Sequence, residues 1–231
     1  MIKYSHDKGL KTDFSTNGML IARYVGGLVE SGLDRILFAI DGSTQEVQQK
    51  YRVGSDLEEI KQNIRGLVEA RDRSKGKFPK VIAIQTVVSS SNESQIQDLT
   101  DMADSLGVDS IRFKSLAINL GGEYLQGEEE QKELLPKNKD YIRKGSDILL
   151  CPALGDVVIL YNGEVSLCCS DFLGRYIAGN ILKENSFEKV VYGKRYNNFR
   201  KKILKKELPI CKDCAVTGLY WIPGISKKFN K

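Results

Sequence analysis

The chain has 231 residues, which is enough for one large domain or two modest ones. Lys and Arg number 35 against 30 Asp and Glu, for a net charge of +5, and the 28% charged and 41% hydrophobic residues exclude a disordered or fibrous protein. No run of about 18 apolar residues occurs, and the N-terminus lacks the pattern of a secretory signal. We therefore expect a cytoplasmic protein without a membrane partner.

The first half of the sequence alternates β-rich runs with longer amphipathic segments, which is typical of a parallel sheet with crossover helices. Strands are predicted over residues 11–15, 35–40, 81–88 and 110–116, and helices over 19–31, 57–71 and 92–106. Polar or glycine residues follow three of these strands, namely Asn17 and Gly18, Asp41 and Gly42, and Ser89. Open α/β sheets and barrels bind their ligands at that edge.

The apolar rhythm stops after residue 119, where glycines, an acidic run and several lysines predict a linker over 120–150. The segments 157–161 and 164–167 flank Asn162-Gly163, a turn that favours a β-hairpin. A helix is predicted over 187–204. The sequence thus predicts two domains, 1–119 and 151–231, joined by that linker.

All five cysteines lie in the last third of the chain, at positions 151, 168, 169, 211 and 214. An odd, clustered set without a secretory signal argues against a disulfide framework. Four thiolates can enclose one metal ion or one iron-sulfur cluster, and thiol-only ligands leave zinc and iron-sulfur open. Buried apolar cysteines, or a redox dithiol of Cys211 and Cys214, are the alternatives.

The second half resembles the SPASM or shorter twitch domain of radical S-adenosylmethionine (SAM) enzymes. The residues that carry this resemblance are Cys151-Pro152, Asn162-Gly163-Glu164-Val165, Cys168-Cys169-Ser170-Asp171, Gly179-Asn180-Ile181, Arg200 and Cys211-x-x-Cys214. The first half is similar to the barrel of the same enzymes. Ser15 to Gly18 resembles the third-strand motif, Ile40 to Ser43 with Tyr51-Arg52 the fourth-strand region, and Leu106 to Asp109 the approach to the sixth strand.

The resemblance implies an α/β fold, an incomplete radical SAM partial (β/α) barrel with about four of six strand units, followed by a small cysteine-rich domain with a β-hairpin. It implies that Cys151, Cys168, Cys211 and Cys214 ligate one auxiliary [4Fe-4S] cluster, as in the twitch form. Cys169 is the alternative to Cys168, which stands at the family's spacing of five residues after Gly163. Asn17, Asp41 and Arg52 are implied to lie near SAM; as residue types they are equally a turn former, a loop cap and a surface residue.

The sequence departs from the family in one respect, since no Cys-x-x-x-Cys-x-x-Cys motif for the catalytic cluster precedes Cys151. We therefore expect the C-terminal portion of a radical SAM enzyme, inactive alone, with the remainder missing or separately encoded. The family reaction is cleavage of SAM to a 5'-deoxyadenosyl radical that abstracts hydrogen from a substrate, in this case an unknown peptide or small molecule.

Two other functions compete with this interpretation. One is a non-enzymatic module in which the same cysteines hold structural zinc or an iron-sulfur cluster. The other is nucleic-acid binding through the basic run from Arg200 to Lys206, which has no aromatic platform beside it and is better explained as a solvated helix end.

Overall fold

The computed structural model describes residues 1–116, 132–142, 151–171, 173–211, 214, 222 and 224–229, with only the backbone of residue 152. Two compact units make up the chain. Unit 1 comprises Met1–Leu116, Glu133–Ile142 and Trp221–Lys231, and unit 2 comprises Ala117–Lys132 and Arg143–Tyr220. The domain boundaries at 119 and 150 stay a prediction. Within the described ranges, no helix has the length and apolar character needed to cross a bilayer.

Helices and strands follow one another along the described part of the chain. In chain order they are α1 (Ile2–Asp7), β1 (Asp13–Thr16), α2 (Val25–Glu30), β2 (Arg35–Ala39), α3 (Gln45–Tyr51), α4 (Leu57–Arg73), β3 (Val81–Val88), α5 (Ile96–Ser105), β4 (Ser110–Ser115), β5 (Val158–Ile159), β6 (Glu164–Ser166), β7 (Ile177–Asn180), α6 (Phe187–Val191), α7 (Lys194–Leu204) and β8 (Lys227–Lys228). Short 3-10 turns are Ile21–Tyr24, Glu93–Gln95, Lys139–Tyr141, Pro152–Leu154 and Pro209–Cys211.

Unit 1 is built on a five-stranded sheet in the order β1-β2-β3-β4-β8. The first four strands are parallel, and β8 pairs antiparallel with β4. Crossover helices bury the sheet, so its central side chains are wholly inaccessible. Those with no exposed surface include Ile36, Phe38, Ile82, Ile84, Ile111 and Phe113. The predicted α/β class is confirmed.

Helix α4 shows why the helices of unit 1 form where they do. Asp56 caps its N-terminus by accepting a hydrogen bond from the Glu59 backbone N–H at 2.9 Å. Ile60, Ile64 and Leu67 then recur at helical spacing and are fully buried in the core. The helix closely matches its prediction over 57–71.

Unit 2 contains an antiparallel sheet in the order β5-β6-β7, followed by α6 and α7. The predicted hairpin is present between β5 and β6, with strands shorter than predicted. Its turn has Gly163 at φ +83°, a left-handed conformation that favours glycine. This sheet carries Cys168 two residues beyond the end of β6.

Two predicted helices are wrong as single elements. Residues 19–31 form the 3-10 turn Ile21–Tyr24 and the short α2. The side chain of Asn63 donates to the Gly18 and Met19 carbonyl oxygens at 2.9 and 3.3 Å, just before this turn. Residues 187–204 form α6 and α7, separated by an extended Gly193. A Cβ at Gly193 would lie 2.4 Å from the Lys189 carbonyl oxygen, so the chain turns there around a glycine.

Candidate iron-sulfur centre and cofactor edge

Three of the five cysteines pack against one hydrophobic cluster of unit 2, which we call the cysteine core. It consists of Ala153, Leu167, Ile203, Leu208 and Ile210, and the half-buried Cys151, Cys168 and Cys211 contact it. Cys151 precedes the turn Pro152–Leu154, Cys168 follows β6, and Cys211 ends the turn Pro209–Cys211. Three segments far apart in sequence therefore meet around these thiols, and the last of them includes Ile203 of α7.

The thiols around the cysteine core lie within electrostatic range of one another. The pKa of Cys211 is raised to about 11, mainly by burial and also by negative charge on Cys168, Cys214 and Cys151. The pKa of Cys168 is likewise raised to about 11, mainly by burial and also by Cys169 and Cys214. The pKa of Cys151 is raised mainly by burial and also by Cys214. Cys151, Cys168, Cys211 and Cys214 therefore lie in the same region of unit 2, where each interacts electrostatically with at least one of the others.

A thiol with a raised pKa stays protonated unless a cation replaces the proton. Soft thiolates in an apolar surrounding are the ligands that iron-sulfur clusters use, so the donor set fits such a cluster. In the part of the chain that the structure describes, no three His, Cys, Asp or Glu side chains form a group able to hold a metal ion.

The adjacent Cys168 and Cys169 differ in their surroundings. The Cys168 thiol is half-buried against the cysteine core, and the backbone N–H groups of Ser170 and Asp171 partly offset the rise in its pKa that burial causes. Cys169 is exposed. The structure thus gives Cys168 the environment of a ligand, in line with the spacing after Gly163.

The other predicted site lies in unit 1, at the carboxyl edge of the parallel sheet. Asn17 and Asp41 follow β1 and β2, which pair in register from Asp13 and Arg35 to Thr16 and Phe38, so both residues lie at the same edge. Asn17 is exposed, and its side-chain oxygen accepts a hydrogen bond from the Met19 N–H at 3.3 Å. This is the turn-forming geometry that asparagine favours.

Asp41 is only 2% exposed and is held by donors from two directions. Its Oδ2 accepts from Arg52 Nε at 2.6 Å, and its Oδ1 accepts from the Val87 N–H at 2.7 Å. The structure therefore brings Asp41 and Arg52 together and ties both to the end of β3. Arg52 keeps 30% of its side chain exposed at this edge and lies 5.1 Å from the centre of the Tyr51 ring.

Three buried amide side chains that the sequence analysis did not single out shape this edge. Gln48 Oε1 accepts from the N–H groups of Asp41 and Gly42, and Asn92 Nδ2 donates to the Asp41 and Val87 carbonyl oxygens. Asn63 holds the turn that follows Asn17. The signal for Asn63 is present in the sequence, since a polar residue sits on the apolar stripe of Ile60, Ile64 and Leu67.

Comparison with known proteins gives one family match, within unit 2, and two curated relatives of part of the chain. Residues 151–215 match the SPASM family, described as an iron-sulfur cluster-binding domain. A curated protein of Methanococcus aeolicus named probable GTP 3',8-cyclase is 32% identical over 94 residues, covering 41% of this chain and 29% of that protein. A protein of Metallosphaera sedula with the same name is 27% identical over 127 residues, covering 53% of this chain and 38% of that protein.

Solved structures agree in fold. Streptococcus suis SuiB bound to precursor peptide SuiA superposes with a TM-score of 0.61 at 15% identity, covering 86% of this chain and 52% of that chain. The enzyme anSMEcpe with bound AdoMet superposes with a TM-score of 0.57 at 15% identity, covering 90% and 63%. The chain is similar to radical SAM enzymes in fold, and its residues 151–215 match the SPASM domain. The family resemblance seen in the sequence is confirmed.

The SPASM match contains all five cysteines and lies within the range of unit 2. The chain spans less than two fifths of the length of the two curated relatives. The role of each cysteine, and of Asn17, Asp41 and Arg52, stays a prediction.

Proposed function

We propose that this chain supplies the auxiliary-cluster part of a radical SAM enzyme, holding one [4Fe-4S] cluster through Cys151, Cys168, Cys211 and Cys214 as a twitch domain does. The observation that carries the proposal is the convergence of Cys151, Cys168 and Cys211 on the cysteine core, within electrostatic range of Cys214. The match of residues 151–215 to an iron-sulfur domain supports it. Free thiols throughout the described cysteines fit a reducing, cytoplasmic location.

The protein's own contribution at this centre would be a set of four half-buried cysteines. The apolar side chains of the cysteine core limit water around the sulfurs, and the backbone N–H groups of Ser170 and Asp171 stabilise negative charge on Cys168. Such a cluster, when bound, supplies a site that accepts an electron or anchors a substrate group.

The carboxyl edge of unit 1 would provide contacts to SAM. Arg52 is oriented by Asp41, and a guanidinium can hold a carboxylate through two parallel hydrogen bonds. Asn17 presents an exposed polar side chain at the same edge. Both Asp41 oxygens already accept hydrogen bonds, so we assign Asp41 the role of orienting Arg52. The predicted cofactor contact of Asp41 is kept beside that role.

The catalytic cluster would come from a segment outside residues 1–231, because no cysteine precedes Cys151. The complete enzyme would abstract hydrogen from a peptide or small molecule through the 5'-deoxyadenosyl radical of its family. The chain alone, incubated with SAM and a strong reductant without oxygen, is expected to form no 5'-deoxyadenosine. Formation of that product by the purified chain would refute this part of the proposal.

The test of the cluster assignment is metal analysis after anaerobic purification and reconstitution with iron and sulfide. We expect about four irons and four sulfides per chain and a brown protein. Replacing Cys151, Cys168, Cys211 or Cys214 singly with Ala should lower the iron content and bleach the visible absorption. Cys169→Ala is the matched control, since it removes an adjacent but exposed thiol.

Two results would contradict the assignment. A colourless protein with one zinc per chain would favour the structural zinc module over the iron-sulfur centre. Iron loss in Cys169→Ala with retention in Cys168→Ala would show that the wrong member of the pair has been assigned as the ligand.

A further inference from the structure

Asn92 is a buried amide of unit 1 that joins the ends of two neighbouring strands. It follows β3 in the chain and is only 1% exposed. Its Nδ2 donates to the carbonyl oxygen of Asp41 at 2.7 Å and to that of Val87 at 2.8 Å, and its Oδ1 accepts from the Ser89 N–H at 2.8 Å. Because both donor hydrogens and the acceptor are used, the amide has one orientation and fixes Asp41 relative to Val87.

The carboxylate of Asp41 belongs to the same set of hydrogen bonds. The Val87 N–H donates to Asp41 Oδ1 at 2.7 Å, so Asp41 meets both backbone polar groups of Val87, one directly and one through Asn92. The result is a closed ring of hydrogen bonds in which Asn92 is the link between the two carbonyl oxygens. Hydrogen bonds in such a buried ring reinforce one another, so the direction of the Asp41 carboxylate depends on Asn92.

The second oxygen of Asp41 passes this constraint on to Arg52. Arg52 Nε donates to Asp41 Oδ2 at 2.6 Å, while 30% of the Arg52 side chain stays exposed. No residue in the described part of the chain accepts a hydrogen bond from either terminal nitrogen of Arg52. A guanidinium fixed through Nε presents its terminal N–H groups as a planar fork, and that fork matches a carboxylate.

We propose that Asn92 is a positioning residue for Arg52, because it holds the Asp41 carboxylate that fixes Arg52 through Nε and leaves the two terminal nitrogens to bind the carboxylate of SAM. This role deepens the proposed function and rests on it, since it takes SAM as the ligand of the carboxyl edge. Asn92 itself contacts no ligand in this assignment.

The binding test compares SAM with decarboxylated SAM, which lacks only the carboxylate, by isothermal titration calorimetry of the full chain. The wild-type chain should bind SAM about 10- to 100-fold more tightly, the factor expected for hydrogen bonds to a charged group. In Asn92→Ala this preference should fall about three- to tenfold, because the ligand itself must then immobilise Arg52. Arg52→Ala should abolish the preference.

Asp34→Ala is the matched control for lost stability, because Asp34 lies just before β2 whereas Asp41 lies just after it. Asp34 Oδ2 accepts from the Thr12 N–H at 3.0 Å, and its Oδ1 pairs with Lys80 at 3.1 Å. This variant removes buried and charged contacts at the amino end of the same sheet, and it should keep the wild-type preference for SAM. An equal loss of preference in Asp34→Ala and Asn92→Ala would overturn the positioning role.

The orientation of Arg52 is also measurable in the protein without SAM. The Arg52 Nε–H donates to Asp41, so nuclear magnetic resonance should show slow exchange of this proton with solvent in the wild type and in Asp34→Ala. Asn92→Ala should speed that exchange about tenfold, the factor that corresponds to the loss of one hydrogen bond. Unchanged exchange of the Arg52 Nε–H in Asn92→Ala would refute the role, whatever happens to SAM binding.

Failure of the proposed function gives a different pattern of results. A wild-type chain that binds neither compound, or binds both equally, would refute the SAM contact of the carboxyl edge and this role with it. A wild-type preference that persists unchanged in Asn92→Ala would refute the role of Asn92 alone. Should Asn92→Ala not fold, Asn92→Ser carries the same comparisons, because its hydroxyl supplies one donor in place of two.

Discussion

Asp41 offers a direct test of whether the carboxyl edge is built before any cofactor arrives. In the structure its carboxylate joins the guanidinium of Arg52 to the backbone of Val87 at the end of β3. Replacing it with Ala removes both contacts while deleting few apolar atoms from the core. The free energy of unfolding should therefore fall even in the chain measured without SAM.

The magnitude follows from the two contacts taken separately. Leaving the Val87 N–H without its acceptor costs about 1–3 kcal/mol. The Arg52 pair contributes less, about 0.5–1 kcal/mol, because 30% of that side chain is exposed and water screens the charge. We expect Asp41→Ala to lower the free energy of unfolding by about 2–4 kcal/mol.

The assay is urea unfolding of the full chain, monitored by far-ultraviolet circular dichroism. Amide exchange at Val87 reports on unit 1 in the same protein. Asp13→Ala is the control, since Asp13 forms an ion pair with Arg35 in which the side chains are 50% and 34% exposed. That variant should lose about 1 kcal/mol or less. If Asp41→Ala is no less stable than Asp13→Ala, the structural role of Asp41 is refuted.

Three further outcomes are expected. Asn63→Ala removes the donor to the Gly18 and Met19 carbonyl oxygens. It should lower the free energy of unfolding by about 1–3 kcal/mol and speed amide exchange in the turn after β1. Unchanged amide exchange in that turn would contradict the role of Asn63. The pKa of Asp34 is lowered from 3.8 by the Thr12 N–H and by Lys80. Asp34 therefore adds stability above about pH 3.8, and this stability is lost as the pH falls through its folded pKa. The destabilisation caused by Asp34→Asn should be full at neutral pH and vanish in acid, and a destabilisation that stays constant with pH would refute this. Removing iron from the reconstituted protein with a chelator should speed amide exchange in unit 2 and leave the amides of β2 and β3 protected. Equally faster exchange in both units would contradict the separation of their two hydrophobic cores.

Much of the sheet of unit 1 is predictable because its signals are local. The prediction for β3 matches the structure at Val81–Val88, and those for β2, β4 and α4 agree within about two residues. Each of these elements is buried against the same core, so its apolar pattern is continuous. The elements α3, β7 and β8 were not predicted from the sequence, because they are short. The strands β7 and β8 also form only by pairing with β6 and β4. β8, for example, is a pair of exposed lysines beside β4.

The site is predictable in its residue types and less so in its supporting contacts. The cysteine spacing and the hairpin turn pointed to a thiol centre, and the structure brings Cys151, Cys168 and Cys211 to one hydrophobic cluster. The hydrogen bonds of Asp41 with Arg52 and Val87 could not be predicted, because they depend on the register of β2 against β3. The same is true of Asp171, whose donors come from Ser166 and from beyond the turn.

Strand β8 has a consequence for how the chain is synthesised. The hydroxyl of Ser226 accepts from the Phe113 N–H across 113 residues of sequence, and Ile222 donates to the Phe113 carbonyl oxygen. On a ribosome, β4 therefore emerges well before the residues that will cover its outer edge, and all of unit 2 is translated in between. During that interval the edge of β4 is open to other strands. The SPASM domain is thus synthesised while the sheet before it still lacks its last strand.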